Sequence, residues 1–178
     1  MGMSKPEVRK KIREITASLS KEEKLSLSDR ATYLLENDPW FKNADIIAMY
    51  WSLDDEVDTH RFIEKWNGKK TILLPVIEGD NIYFATYDGV KDLVKEDRFG
   101  LLQPGNNNIY NIKTIELIVV PGVAFDHNNN RLGRGKGYYD RALSYSNCPK
   151  TGICFPHQYV EQLPVDIHDV KVDKVVFA

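Results

Sequence analysis

Between positions 131 and 141 the chain sets four cations (Arg131, Arg134, Lys136, Arg141) among three alternating glycines (Gly133, Gly135, Gly137). Leu132, the tyrosine pair Tyr138 and Tyr139, and the carboxylate Asp140 complete the run. Glycine at every second position lets successive backbone N–H groups turn toward one point and line an anion. Arg131, Arg134 and Lys136 add charge-assisted hydrogen bonds to that anion. Asp140 is the kind of ligand a magnesium ion needs when the anion is a polyphosphate. These residue types describe a nucleotide phosphate cradle beside an aromatic wall.

Two familiar phosphate loops are excluded by position. Gly137 follows Lys136 where a P-loop needs Ser or Thr, and Asn130 stands where its first glycine belongs. The dinucleotide fingerprint fails because the position three after Gly135 is Tyr138. A flexible cationic loop with a solvated face, or an arginine–glycine contact to nucleic acid, is the alternative to a cradle at this level.

The elements that must position the run are legible along the chain. Ser4 and Glu7 have capping-box spacing with Pro6 in the first turn, and Val8, Ile12, Ile15 and Leu19 then recur at helical spacing. Ser20 and Glu23 open a second helix that stops before Asp38 and Pro39. Residues 44–50 read as a strand, 59–66 as a helix ended by Asn67 and Gly68, and 71–76 with 82–87 as a hairpin. The unbroken aliphatic run 115–120 predicts a strand covered on both faces. A helix over 138–144 and strands over 151–155 and 174–177 follow. Strands alternating with helices predict an α/β fold: a single-domain, Rossmann-like three-layer α/β/α sandwich around a mostly parallel sheet. In such sheets ligands bind beyond the carboxyl ends of the strands. Pro121 and Gly122 end the most buried strand, just upstream of the cradle.

With 178 residues, one domain over 1–178 with a substantial core is expected, residues 1–3 being read as an appended or unstructured start. A 42% hydrophobic content predicts a folded globule, and a net charge of −2 argues against a general nucleic-acid binder. Positive charge is local, which points to a small anionic ligand. Cys148 and Cys154 lack zinc or redox spacing and read as buried thiols of a reducing compartment. No apolar stretch approaches the ~20 residues of a membrane span. A cytoplasmic protein with no membrane partner is expected.

Pro121, Gly122, Val123, Ala124, Phe125 and Asp126, followed by the 131–141 run, resemble the 5-formyltetrahydrofolate cyclo-ligase family, also called methenyltetrahydrofolate synthetase. Lys5 and Arg9 match that family's amino-terminal Lys-x-x-x-Arg, and Glu56, Val57, Asp58 and Thr59 match its acidic patch. Leu74, Pro75 and Val76, then Gly100 with Gln103 and Pro104, Leu163 with Pro164, and His168 with Asp169 fall in the family's order. Two departures stand out. Gln103 replaces the usual glutamate, and Asn128, Asn129 and Asn130 replace a glycine-containing turn, a change asparagine tolerates because it enters the left-handed region.

The resemblance implies a monomeric enzyme that converts 5-formyltetrahydrofolate and MgATP to 5,10-methenyltetrahydrofolate, ADP and phosphate. It implies ATP contacts from Lys5, Arg9 and residues 131–139, with Arg134 and Lys136 nearest the moving phosphoryl group. Reduced folate would meet Trp51 on its flat face, Glu56 at its donor edge, and Arg134, Gly135, Lys136, Gly137 and Tyr138 at its reacting end. Magnesium would be held by Asp140 and Asp173. Read from the residues alone, Asp173 is a turn residue, Asp58 a helix cap, Asp126 a loop-orienting group and Asp169 with His168 a structural hydrogen-bonding pair. A non-catalytic binder of folate or nucleotide and a phosphotransferase on another small acceptor are the competing functions.

Overall fold

Both amino-terminal helices begin where their capping boxes predict. The Ser4 amide donates to the Glu7 carboxylate at 2.7 Å at the start of α1 (Lys5–Ser18). At α2 (Lys21–Asn37) the bonds are reciprocal: Ser20 N–H to Glu23 at 2.7 Å, and Glu23 N–H to the Ser20 hydroxyl at 3.1 Å. Such caps satisfy amides that a helix start leaves unpaired. Asp38 stops α2 and caps α3 (Pro39–Asn43), accepting the Trp40 amide at 2.9 Å. The structure, a computed structural model, describes residues 2–178; of the expected appended start, Met1 lies outside the described residues.

The chain continues through β1 (Ile46–Ala48), α4 (His60–Trp66), β2 (Thr71–Glu78), β3 (Asn81–Thr86), β4 (Leu93–Lys95), β5 (Leu102–Pro104) and β6 (Ile109–Tyr110). It ends with β7 (Leu117–Val120), β8 (Ala124–Asp126), β9 (Arg131–Leu132), α5 (Tyr138–Leu143), β10 (Lys150–Cys154), β11 (Tyr159–Val160) and β12 (Lys174–Phe177). Seven strands form the central sheet in the order β12-β10-β7-β1-β2-β3-β6. The first five are parallel, and β3 and β6 add an antiparallel edge. The mostly parallel α/β sheet expected from the sequence is present.

Strand β7 shows why that aliphatic run does not alternate with polar residues. Leu117 and Val119 pack with Leu35, Phe41 and Ile63 of α2, α3 and α4 on one face. Ile118 and Val120 pack with Phe125, Ala142 and Leu143 on the other. The second face is helical only at the short α5; β8 and the carboxy-terminal segment around Val172 fill the remainder. Gly152 permits this, because a Cβ there would stand 2.5 Å from the Phe125 ring.

Two small sheets lie outside the sequence expectations. One is the β4–β5 hairpin, and the other joins β11, β8 and β9. The β8–β9 turn is organised by the buried Asp126. Its Oδ1 accepts the Asn128 and Asn130 amides, and its Oδ2 accepts the Asn130 side chain and the Leu163 amide, all at 2.9 Å. Asn129 takes the left-handed conformation at φ 61°. Burial works to raise the Asp126 pKa, but its bonds from Asn130, Leu163 and Asn128 prevail and hold it below the usual carboxylate range.

Asp126→Asn therefore loses about 1–3 kcal/mol of unfolding free energy at pH 7, since hydrogen bonds to a charged group are the stronger kind. The contribution is full above the unfolded carboxylate pKa of ~3.9 and is lost as pH falls through the lower folded value. Urea denaturation of wild type and variant should show a gap at pH 7 that narrows below about pH 4.

Candidate active site

Parallel strands β1 and β7 are neighbours, so the segments leaving their carboxyl ends meet. Tyr50 and Trp51 follow β1, Pro121 and Gly122 follow β7, and all four line a cavity of about 1780 Å³. The α1 side chains Lys5 and Arg9 close one side, and Phe99 and Gln103 of the β4–β5 hairpin close another. A pocket for one drug-sized ligand measures roughly 300–1,000 Å³, so this space accommodates two.

The glycine run leaves β9 and enters α5 through Gly133, Gly135 and Gly137. Gly135 and Gly137 have φ of 103° and 70°, conformations that a side chain would strain. Leu132 packs into a small core with Val8 and Ile12 of α1. Arg9 Nε donates to the Gly133 carbonyl at 2.8 Å, tying α1 to the loop.

The four cations divide into two kinds. Arg131 is buried, its side chain 4% exposed; it donates to Asp140 at 3.0 Å and to the Pro121 carbonyl at 3.2 Å. Arg141 Nε donates to the Asp80 carbonyl at 3.0 Å. These two brace the loop, and Arg131 engages two of its five N–H donors in doing so. Its Nε and the Tyr139 hydroxyl are buried without a protein partner at the cavity. Arg134 and Lys136 are exposed to the cavity, with Lys136 Nζ 5.5 Å above the Phe99 ring. The Tyr138 ring meets Phe99 edge-on at 6.3 Å.

Arg134 is held by two acidic neighbours from the segment after β1. Its Nη1 and Nη2 reach the two Asp55 oxygens at 3.2 and 2.5 Å, and Nη2 and Nε reach Glu56 Oε1 at 3.0 and 3.3 Å. Glu56 Oε2 accepts the Leu53 amide at 2.9 Å. Burial pushes the Glu56 carboxyl above its usual range against the opposing pull of Arg134. Asp55 is absent from the sequence expectations; the adjacent acids Asp54, Asp55 and Glu56 were its only signal.

Other expected residues are placed differently. Lys5 Nζ lies 2.7 Å from Asp166 and 2.6 Å from Asp169, so its charge is already answered. Burial lowers its pKa, but these two bonds outweigh burial and raise it. Asp169 also accepts the Asp166 amide at 2.7 Å, so its partners are Lys5 and Asp166 rather than the neighbouring His168 of the expected pair. Trp51 stacks on His60 with centroids 4.0 Å apart and planes at 15°, and the Tyr87 ring lies 5.7 Å from it at 30°. Asp58 accepts the His60 amide at 2.9 Å at the start of α4.

The expected two-carboxylate magnesium site is not assembled. Asp173 accepts the Lys150 amide at 2.8 Å beside the β8–β9 turn and does not line the cavity that Asp140 lines. Among the described residues no group of three or more His, Cys, Asp or Glu could hold a metal. Asp140 still fits magnesium as a lone protein carboxylate. Its Oδ1 takes Arg131 and the Val170 amide, so Oδ2 would be the atom to meet an ion completed by phosphate oxygens.

The sequence model of the 5-formyltetrahydrofolate cyclo-ligase family matches residues 1–178. The chain is 32% identical to the 5-formyltetrahydrofolate cyclo-ligase of Haemophilus influenzae, over 92% of each chain. It is 30% identical to the mouse protein of that name, over 99% of this chain and 95% of that one. The structure of Aquifex aeolicus 5,10-methenyltetrahydrofolate synthetase superposes with a TM-score of 0.88 at 36% identity, covering 98% of this chain and 89% of the other. A synthetase from Mycoplasma pneumoniae gives 0.79 at 27% identity, covering 98% and 99%.

If Asp140 braces the loop, Asp140→Asn leaves the Arg131 guanidinium buried without its counter-charge. Breaking a fully buried pair costs ~3–5 kcal/mol, so this partly accessible one is expected to lose about 2–3 kcal/mol in chemical denaturation.

Proposed function

The chain belongs to the 5-formyltetrahydrofolate cyclo-ligase family, and on that premise we propose that its cavity holds ATP and 5-formyltetrahydrofolate side by side and closes the folate ring at the nucleotide's expense. The observation that carries this reading is the meeting of two chemistries in one cavity. A glycine loop with Arg134 and Lys136 joins the acidic pair Asp55 and Glu56 there, through Arg134. The cationic side suits a polyphosphate, and a buried carboxylate suits the N–H edge of a pterin.

The chemical obstacle is that an amide oxygen leaves poorly. Transfer of the terminal phosphoryl group from ATP to the formyl oxygen breaks the bond to ADP and makes that oxygen part of a good leaving group. The N10 lone pair then attacks the formyl carbon, the carbon–oxygen bond breaks, phosphate departs, and the N10 proton passes to solvent. Phosphoryl transfer asks a protein mainly for alignment and charge neutralisation. The loop amides, Lys136 and Arg134 supply both, and Tyr138 and Phe99 wall the reacting end. Bound through Asp140 and phosphate oxygens, magnesium would add neutralisation of the polyphosphate. Every residue named here comes from one chain, which supports a monomer acting on two dissolved substrates in the cytoplasm. No helix among the described residues is long and apolar enough to cross a membrane.

Purified protein with MgATP and a panel of reduced folates tests this directly. The 5-formyl compound should yield the methenyl chromophore and ADP one-to-one, and no chromophore would defeat the proposal. Arg134→Ala should lose on the order of 10³ in turnover, by analogy with cations in other phosphoryl-transfer sites. Glu56→Gln should raise KM for the folate about tenfold, the value of one charge-assisted hydrogen bond, with KM for ATP little changed.

A further inference from the structure

A guanidinium carries five N–H donors. In Arg134 four of its donor contacts end on Asp55 and Glu56: Nη1 and Nη2 on Asp55, Nη2 and Nε on Glu56. A phosphoryl group is gripped best by two parallel N–H bonds from one edge of the fork. With both carboxylates in place neither useful edge is open, and their two negative charges outweigh the one positive charge beside any incoming polyphosphate. Arg134 cannot serve the nucleotide while both acids hold it.

The two acids are not equivalent. Glu56 shares a single oxygen, Oε1, between Nη2 and Nε, and its other oxygen is on the Leu53 amide. Asp55 uses both oxygens on the Nη1–Nη2 edge. A ligand with donor N–H groups competes for Glu56 and frees the Nε–Nη2 edge. Asp55 keeps the other edge and holds the guanidinium plane in place.

We propose that Asp55 is a positioning residue that, together with Glu56, withholds Arg134 from ATP until the folate engages Glu56, so that transfer of the phosphoryl group to water is suppressed when no folate is bound. In that wasteful reaction the water oxygen takes the terminal phosphoryl group, the bond to ADP breaks, and the water proton goes to solvent. The proposal rests on the function given above. It assigns Asp55 a part played only through Arg134, without contact to either substrate.

The test follows ADP and the methenyl chromophore together in wild type, Asp55→Asn and Asp55→Glu. Wild type should release one ADP per chromophore and almost none without folate. Asp55→Asn removes the charge that retains Arg134. It should release ADP without folate about tenfold faster than wild type, the scale of one charge-assisted hydrogen bond, and exceed one ADP per chromophore. Asp55→Glu, which keeps the charge, should restore most of the coupling; a purely structural role would not give that pattern. If Asp55→Asn stays coupled one-to-one and silent without folate, the proposal is overturned. Should that variant not fold, wild type decides: 5-formyltetrahydrofolate should tighten a non-hydrolysable ATP analogue about tenfold, and an unchanged affinity overturns the proposal. Absence of chromophore from wild type would instead defeat the proposed function, so the two failures are separable.

Discussion

Ordering the segment from Gly133 to Gly137 sets the terms for the whole site. Fixing a backbone residue costs roughly 1–2 kcal/mol, and glycine loses more freedom than any other residue. A loop with three glycines therefore needs partners outside itself. They come from α1, through Arg9 on the Gly133 carbonyl, and from α5, through Asp140 on Arg131. The turn between β2 and β3 contributes the Asp80 carbonyl to Arg141. Half of the cations in the run are spent on these braces, which leaves Arg134 and Lys136 to address the cavity.

Sheet topology makes the remaining contact possible. Arg134 and Glu56 are 78 residues apart in sequence, yet bonded. Pairing of β1 with β7 sets the exits of both strands side by side, at Tyr50 and Pro121. The acidic segment departs from one exit, and the glycine run follows from the other through β8 and β9. An acid–base contact at the carboxyl edge of a parallel sheet is thus the product of strand order, and a change in that order would separate the two chemistries.

Much of this was legible in the chain itself. Capping boxes at Ser4 and Ser20 marked the helix starts, and the unbroken aliphatic run ending at Val120 announced a strand buried on both faces. The glycine run announced a loop of unusual backbone conformation, and that loop lines the cavity. What the sequence could not show was how each charge is used. Arg131 and Arg134 look alike in one dimension, but Arg131 is buried against Asp140 while Arg134 faces the cavity. Lys5 stands at helical spacing from Arg9, and only the fold brings Asp166 and Asp169 to it. Asp140 and Asp173 are both carboxylates near the carboxy-terminal third, and only coordinates reveal that one lines the cavity and the other attends the β8–β9 turn. The small strands β4, β5, β6, β9 and β11 were missed because two or three residues give too short a pattern for periodicity to register.

Gln103 is a place where the sequence departs from the family resemblance, which implies a glutamate at this position. The atom that Gln103 presents to β2 faces the Ile77 amide at 3.0 Å. An amide hydrogen demands an acceptor, so the contact is made by the side-chain oxygen, and a carboxylate oxygen would make it equally well. The shared requirement is acceptance, and charge plays no part in it. That bond secures the β4–β5 hairpin to the central sheet, and the hairpin carries Phe99 to the position where Lys136 lies over its ring. The substitution therefore preserves the wall against which a loop cation is aligned, while removing a negative charge from a cavity that already holds Asp55, Glu56 and Asp140. On the proposed function, a polyphosphate entering that cavity would meet less repulsion with glutamine than with glutamate at this position.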